Sequence, residues 1–289
     1  MKKLFFISIP VTIAAIALTS LTATTASAQS GDTVTFGDSF LANPALEQVQ
    51  NQQGNLSSLP TNNPRPGGVS PQGCPQGDTN VPRELARISG QNVINYACSA
   101  ASASGNSHRL DLYEQVDHAI AGGAVGTETK NVLIQIGAND TTQTAFLVDP
   151  TRRQYKDALR SDINKIRAAA PNAKITLVTY PAISAANGAL CPIRVEGSSN
   201  QGFNLDALAL MRGLENTLSF TMFETAQENH VSYYDLRSAS LAHNMCSPDS
   251  MRWVAGGVES TQPYNIGAHL THAGNVGVAQ LLNDNVIVR

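Results

Sequence analysis

From Asp32 onward, short apolar runs alternate with longer stretches in which apolar residues recur every three or four positions. Asp32–Phe36 reads as a short strand bounded by Gly37, and Asn92–Ala97 as a second. Asn131–Ile136 and Lys174–Thr179 are near-continuous apolar runs, the pattern of parallel strands covered on both faces, and Val231–Tyr234 closes the set. Between these lie segments of helical period. They are Phe40–Gln50, Val81–Ile88 before Gly90, Leu110–Ala121, Arg152–Ala170 before Pro171, Leu205–Glu228 and Ala273–Asn285. Asn51–Asn80, rich in Asn, Gln, Pro and Gly, and Arg237–Ile266 show no period and are expected to be long loops. Strands alternating with helices imply parallel strands joined by right-handed crossovers. About five strands fit one α/β domain, a three-layer α/β/α sandwich with a mainly parallel central sheet. In such sheets ligands bind beyond the carboxyl ends of the strands.

The start of the chain follows another pattern. Lys2 and Lys3 precede an apolar stretch, Leu4–Leu21, which is broken by Ser8, Pro10 and Thr12 and followed by Ala26-Ser27-Ala28. That is the layout of a secretory signal peptide over residues 1–28, cleaved before Gln29; Pro10 and the scattered hydroxyls speak against a membrane anchor. Residues 29–289 then form a single domain with no stable membrane span. Only 14% of the residues are charged, against about 25% in an average soluble protein. Nineteen Lys and Arg against 22 Asp and Glu, with no basic run, exclude a nucleic-acid partner. Four cysteines, Cys74, Cys98, Cys191 and Cys246, suit two disulfides in an exported chain. Of the three pairings, Cys74–Cys98 and Cys191–Cys246 are favoured, because each pins a loop-rich segment. Their spacing does not suit a metal, and nothing in the pattern speaks to oligomeric state.

Polar residues collect at the carboxyl ends of the expected strands. The first ends in Gly37-Asp38-Ser39-Phe40, the second in Ala97-Cys98-Ser99-Ala100-Ala101 and the third in Gly137-Ala138-Asn139-Asp140. His269-Leu270-Thr271-His272 stands just before the last helix. One rim thus receives a hydroxyl, an amide, backbone donors and an imidazole. Acyl transfer needs those parts: a hydroxyl nucleophile, a base with a pKa near working pH, and fixed donors for an oxyanion. Asp38 and Asp140 read as loop-fixing acceptors. Trp253 reads as packing or as a substrate contact, and the remaining histidines as surface or structural residues.

These four segments resemble the blocks of the SGNH hydrolases, also called GDSL lipases and esterases, whose fold is flavodoxin-like. Gly37-Asp38-Ser39 resembles the block that carries the nucleophile, and Gly137-Ala138-Asn139-Asp140 the G-x-N-D block whose Asn is an oxyanion donor. Ala100 falls on the family's oxyanion Gly, and His272 on the His of the last block. The cysteine placement is similar to that of the secreted, disulfide-containing bacterial branch. Two positions depart from the pattern. Ala100 replaces a glycine, which works if its φ and ψ suit Ala. The last block is D-x-x-H in the family, but His269 stands where the Asp would be. Some members orient the His with a main-chain carbonyl. The resemblance therefore implies a Ser39–His272 dyad with the His269 carbonyl on the imidazole, a distant carboxylate (Asp249 or Glu259) being the alternative. The Ser39 N–H, the Ala100 N–H and the Asn139 amide would hold the oxyanion.

The implied activity is hydrolysis of acyl esters, lipid or acylated glycan, by a secreted serine esterase or lipase without metal or cofactor. An acyltransferase or a carbohydrate deacetylase would use the same acyl-enzyme. A non-catalytic binding protein on the same fold is the alternative of another class.

Overall fold

The structure is a computed structural model that describes residues 31–52, 68–105, 110–143, 149–195, 201–204, 210–262 and 265–289. The expected leader, half of the Asn51–Asn80 loop, and the first residues of the expected Leu205–Glu228 helix lie outside these. In chain order the elements begin β1 (Thr33–Gly37), α1 (Ser39–Ala42), α2 (Leu46–Gln52), α3 (Val81–Ser89), β2 (Val93–Asn95), α4 (Leu112–Ala121), β3 (Asn131–Gln135), α5 (Ala138–Gln143) and α6 (Asp149–Ala169). They continue with β4 (Lys174–Val178), β5 (Ala189–Arg194), β6 (Gln201–Asn204), α7 (Leu210–Glu228), β7 (Ser232–Tyr234), α8 (Leu236–Ala239), β8 (Val258–Glu259) and α9 (His272–Asn285).

Five strands form the expected parallel sheet in the order β2-β1-β3-β4-β7. β1, β3 and all but the first residue of β4 are buried, so their apolar runs serve both faces. Thr35, Leu133, Gln135 and Val178 meet Val81 and Leu85 of α3 and Leu282 of α9. The alternate positions, among them Val34, Phe36, Val132 and Ile134, point to the other face. There α4 packs on α6, and α6 on α7. This order reverses direction at β1 and β3, the switch point at which doubly wound sheets open a crevice for ligands.

Three expectations change in detail. The helix expected over Phe40–Gln50 is split into α1 and α2. Asn43 is left-handed (φ 38°), and Pro44 after it disfavours helical geometry in the residue before. The loop expected over Arg237–Ile266 contains α8, a short 3-10 turn at Leu241–His243 and β8. A second sheet, β6-β5-β8, was not legible as strands. Its central strand carries Cys191-Pro192, and the β5–β6 register shifts across those residues, between Leu190 and Ile193. Proline in a strand interior is tolerated at such an irregularity.

Both favoured disulfides are present, Cys74–Cys98 and Cys191–Cys246. The first joins the segment before α3 to the loop that leaves β2. The second joins β5 to the segment that leads toward β8. Among the described residues, no helix is long and apolar enough to cross a membrane. Cys74 and Cys98 are 24 residues apart. Loop closure of that length limits the unfolded chain by about 3.5 kcal/mol. Cys74→Ser with Cys98→Ser is therefore expected to lower the unfolding free energy from urea titration by about that amount, and an unchanged midpoint would show the bridge to be neutral.

Candidate functional site

The sheet places Ser39 at the carboxyl end of β1. Gly37 before it lies so close to the Gln135 carbonyl that a Cβ would collide with backbone. Gln115, wholly buried on α4, completes the strand end. Its Oε1 accepts from the Gly37 N–H (3.0 Å) and its Nε2 donates to the Gly37 carbonyl (2.9 Å). The same carbonyl accepts the Cys98 N–H (3.1 Å), which ties the loop after β2 to the serine turn.

Asp38 is fully buried beside the serine. Its carboxyl accepts the Phe40 N–H (3.0 Å) and the Tyr180 hydroxyl, and Tyr180 in turn accepts the Ala138 N–H (3.0 Å). This chain joins the end of β1 to the start of α5 through a residue beyond β4. Burial pushes the Asp38 carboxyl up to about 7, against the pull of Tyr180 and the Phe40 N–H, and the nearby Asp140 adds to the rise. Asp140 is raised for the same first reason. It accepts from the Ala103 N–H, the Ser104 N–H (2.9 Å each) and the Ser104 hydroxyl (2.6 Å), so it fastens α5 to the loop after β2.

Asn139 lies on the same turn, and its amide donates to the Ala101 carbonyl (2.8 Å). Gly137 ahead of it is left-handed (φ 131°), where a Cβ would meet Leu218 and Tyr155. Ala100 is left-handed too (φ 65°), so it occupies the conformation that a glycine adopts without strain. That costs about 1–2 kcal/mol for an L-residue. The Cys74–Cys98 bridge and the Ala101 N–H on the Cys98 carbonyl (3.2 Å) hold the loop in this shape.

The imidazole that meets Ser39 belongs to His269, and the expectation of His272 is corrected. His269 Nε2 lies 2.7 Å from Ser39 Oγ, and its Nδ1 lies 2.8 Å from the Gly267 carbonyl. A carbonyl only accepts, so Nδ1 carries the proton and Nε2 is left to accept from the hydroxyl. Burial lowers the His269 pKa below its ordinary value, with the Gly267 carbonyl working in the opposite direction. His272 is the first residue of α9, is exposed, and follows the N-cap Thr271, whose hydroxyl accepts the Gly274 N–H (3.1 Å). The helix begins one residue earlier than the expected Ala273, which turns His272 outward. A main-chain carbonyl does orient an imidazole here, but it is that of Gly267. The His269 carbonyl accepts the Ala255 N–H instead (2.8 Å).

Neither alternative carboxylate reaches the ring. Asp249 pairs with Arg252 at 3.0 Å, and buried Glu259 pairs with the same guanidinium at 2.8 Å while accepting the Gly256 N–H (2.9 Å). This pair braces the segment on which the His loop rests. Val254 bridges Leu270, the Thr271 N–H reaches the Trp253 carbonyl (2.8 Å), and the Ala268 N–H reaches the Ala255 carbonyl (3.2 Å). Trp253 stacks on His243 (centroids 4.0 Å), and its indole fills the space a side chain at Gly277 would need, so it is packing.

Sequence reasoning missed Tyr180, Gln115 and the role of Gly267. The first two are single polar residues without a motif. The signal for His269 was the N-cap at Thr271, since a cap starts the helix at the next residue. The raised Asp38 value has a testable sign. Between the ordinary 3.8 and about 7 the folded protein holds a proton there that the unfolded chain has released. Its contribution to stability is complete below the unfolded value and is lost as pH rises through that window. Asp38→Asn is therefore expected to gain on the parent by about 1.4 kcal/mol per pH unit from pH 4 to 7. Urea titrations of both proteins at pH 4, 5.5 and 7 would show it, and parallel curves would mean that Asp38 is charged in the fold.

Comparison with known proteins adds the family. The model of the GDSL-like Lipase/Acylhydrolase family matches residues 35–276, which include Ser39, Ala100, Asn139 and His269. "Lipase 2" of Streptomyces coelicolor is 23% identical over 210 residues, covering 63% of this chain and 67% of that protein. Phospholipase A1 from Streptomyces albidoflavus NA297 superposes with a TM-score of 0.55 at 19% identity, over 89% of this chain and 100% of the other. An extracellular lipase from Streptomyces rimosus gives 0.52 at 16% identity, over 87% and 98%. At those identities the two structures are alike in fold. With the family model spanning most of its length, this chain belongs to the GDSL-like lipase/acylhydrolase family of hydrolases.

Proposed function

We propose that the chain is a secreted serine hydrolase of carboxylic acyl esters, acting through a Ser39–His269 dyad in the single domain formed by residues 29–289. One observation carries this reading: Ser39 Oγ lies 2.7 Å from a His269 Nε2 whose tautomer is set by the Gly267 carbonyl. His269 Nε2 takes the hydroxyl proton as Oγ attacks the ester carbonyl. The resulting oxyanion is received by the Ser39 N–H, the Ala100 N–H and the Asn139 amide, donors of a kind worth about 3–4 kcal/mol each. The imidazolium then protonates the departing alcohol, and the C–O bond breaks to leave acyl-Ser39. Water attacks the acyl group with the same His269 as base, which releases the acid and restores the serine. None of these steps calls on a metal or an organic cofactor. The leader pattern of residues 1–28 and the two disulfides support export. The substrate class is an acylated lipid or glycan.

The test is turnover of p-nitrophenyl esters from acetate to palmitate by residues 29–289. Ser39→Ala and His269→Ala are expected to lose at least about a thousandfold in kcat. His272→Ala is expected to stay within about threefold, because an exposed helix residue takes no part in proton transfer. The base must be neutral to accept a proton, and burial lowers its pKa, so the acid limb of kcat/KM is expected to have its midpoint below 6.5. Undiminished turnover in Ser39→Ala, or a collapse in His272→Ala with His269→Ala intact, would overturn the assignment.

A further inference from the structure

The proton-transfer step turns His269 into a cation, yet among the described residues its Nδ1 meets the Gly267 carbonyl and no carboxylate. The charged groups on the neighbouring elements are engaged elsewhere. Asp38 faces Tyr180 and the Phe40 N–H, Asp140 faces Ala103 and Ser104, and Asp249 and Glu259 face Arg252. What does lie against the imidazole is an aromatic ring. Phe40 follows the serine directly and is only 4% exposed. Its ring stacks on that of His269 with centroids 4.6 Å apart and planes 23° from parallel. Tyr180 meets Phe40 nearly at right angles, with centroids at 4.9 Å, and its own hydroxyl is anchored on Asp38. Phe40 is thus wedged between a fixed tyrosine and the histidine. The face of a benzene ring is its negative face and attracts a cation within about 6 Å.

We propose that Phe40 is a positioning residue that holds the His269 ring flat with Nε2 aimed at Ser39 and stabilises its imidazolium form through the π face, an attraction that adds to the Gly267 carbonyl on Nδ1. This rests on the reading of His269 as the base. Leucine keeps an apolar side chain over the ring and removes only the π face, so a comparison of the two separates charge stabilisation from burial.

The experiment is a 15N-NMR titration of the His269 ring, assigned by its absence in His269→Gln. It is run on residues 29–289 and on Phe40→Leu, Phe40→Met and Phe40→Tyr, with ester kinetics beside it. Loss of the π face is expected to lower the His269 midpoint by about half a unit and kcat by roughly three- to tenfold, with KM nearly constant. Phe40→Tyr is expected to restore both to within about twofold. Phe40→Met gives the same comparison with a more adaptable apolar side chain. A midpoint that is unchanged or raised in the Leu and Met variants would overturn the proposal. If the parent protein turned over no ester, the functional reading would fail, and the titration would still decide the stack.

Discussion

Burying Asp38 under the serine is the constraint from which the rest of the site follows. A carboxyl removed from water needs donors with fixed geometry, and unpaired it would cost several kcal/mol. The donors here are Tyr180 and the Phe40 N–H. Because Tyr180 also accepts from the Ala138 N–H, satisfying Asp38 sets the distance between the ends of β1 and β3. Asp140 makes the matching link from α5 to the loop after β2. Three strand ends are thereby locked to each other beneath the surface that a substrate would touch. The two acids share a low-dielectric region, and the nearby Asp140 adds to the rise of Asp38.

The parallel sheet was legible because β3 and β4 are near-continuous apolar runs covered on both faces. The disulfide pairing was legible because Cys74 and Cys246 sit in loop-rich segments that need pinning. β5 was hidden by Pro192, which breaks the alternation a strand is recognised by. The split between α1 and α2 was written in Asn43-Pro44, a pair that ends helices. The exchange of His272 for His269 came from spacing: two imidazoles three residues apart fit one block equally well. Only the cap at Thr271 distinguishes the one on the helix from the one ahead of it. Tyr180 acts 142 positions from Asp38, and a contact of that range leaves no trace in local pattern.

Strain and support are distributed in a consistent way. Ala100 and Ala268 both hold left-handed backbone, one in the loop proposed to receive the oxyanion and the other directly before His269. Each lies next to a covalent or buried ionic brace. The Cys74–Cys98 bridge stands beside the first, and the Arg252–Glu259 pair stands behind the second, together with the Cys191–Cys246 bridge. Residues in such conformations persist when their surroundings over-determine them.

The Gly267 carbonyl has a genetic consequence. A side-chain carboxylate in that place could be erased by one codon change, whereas a peptide oxygen belongs to the backbone and survives every substitution at its own position. What mutation can do is displace it. A Cβ at residue 267 would press on the backbone of Gly256 and Gly257. Selection on the orientation of His269 therefore falls on the packing of three glycines rather than on the identity of an acid, and loss of function at this point would arise as misplacement rather than deletion.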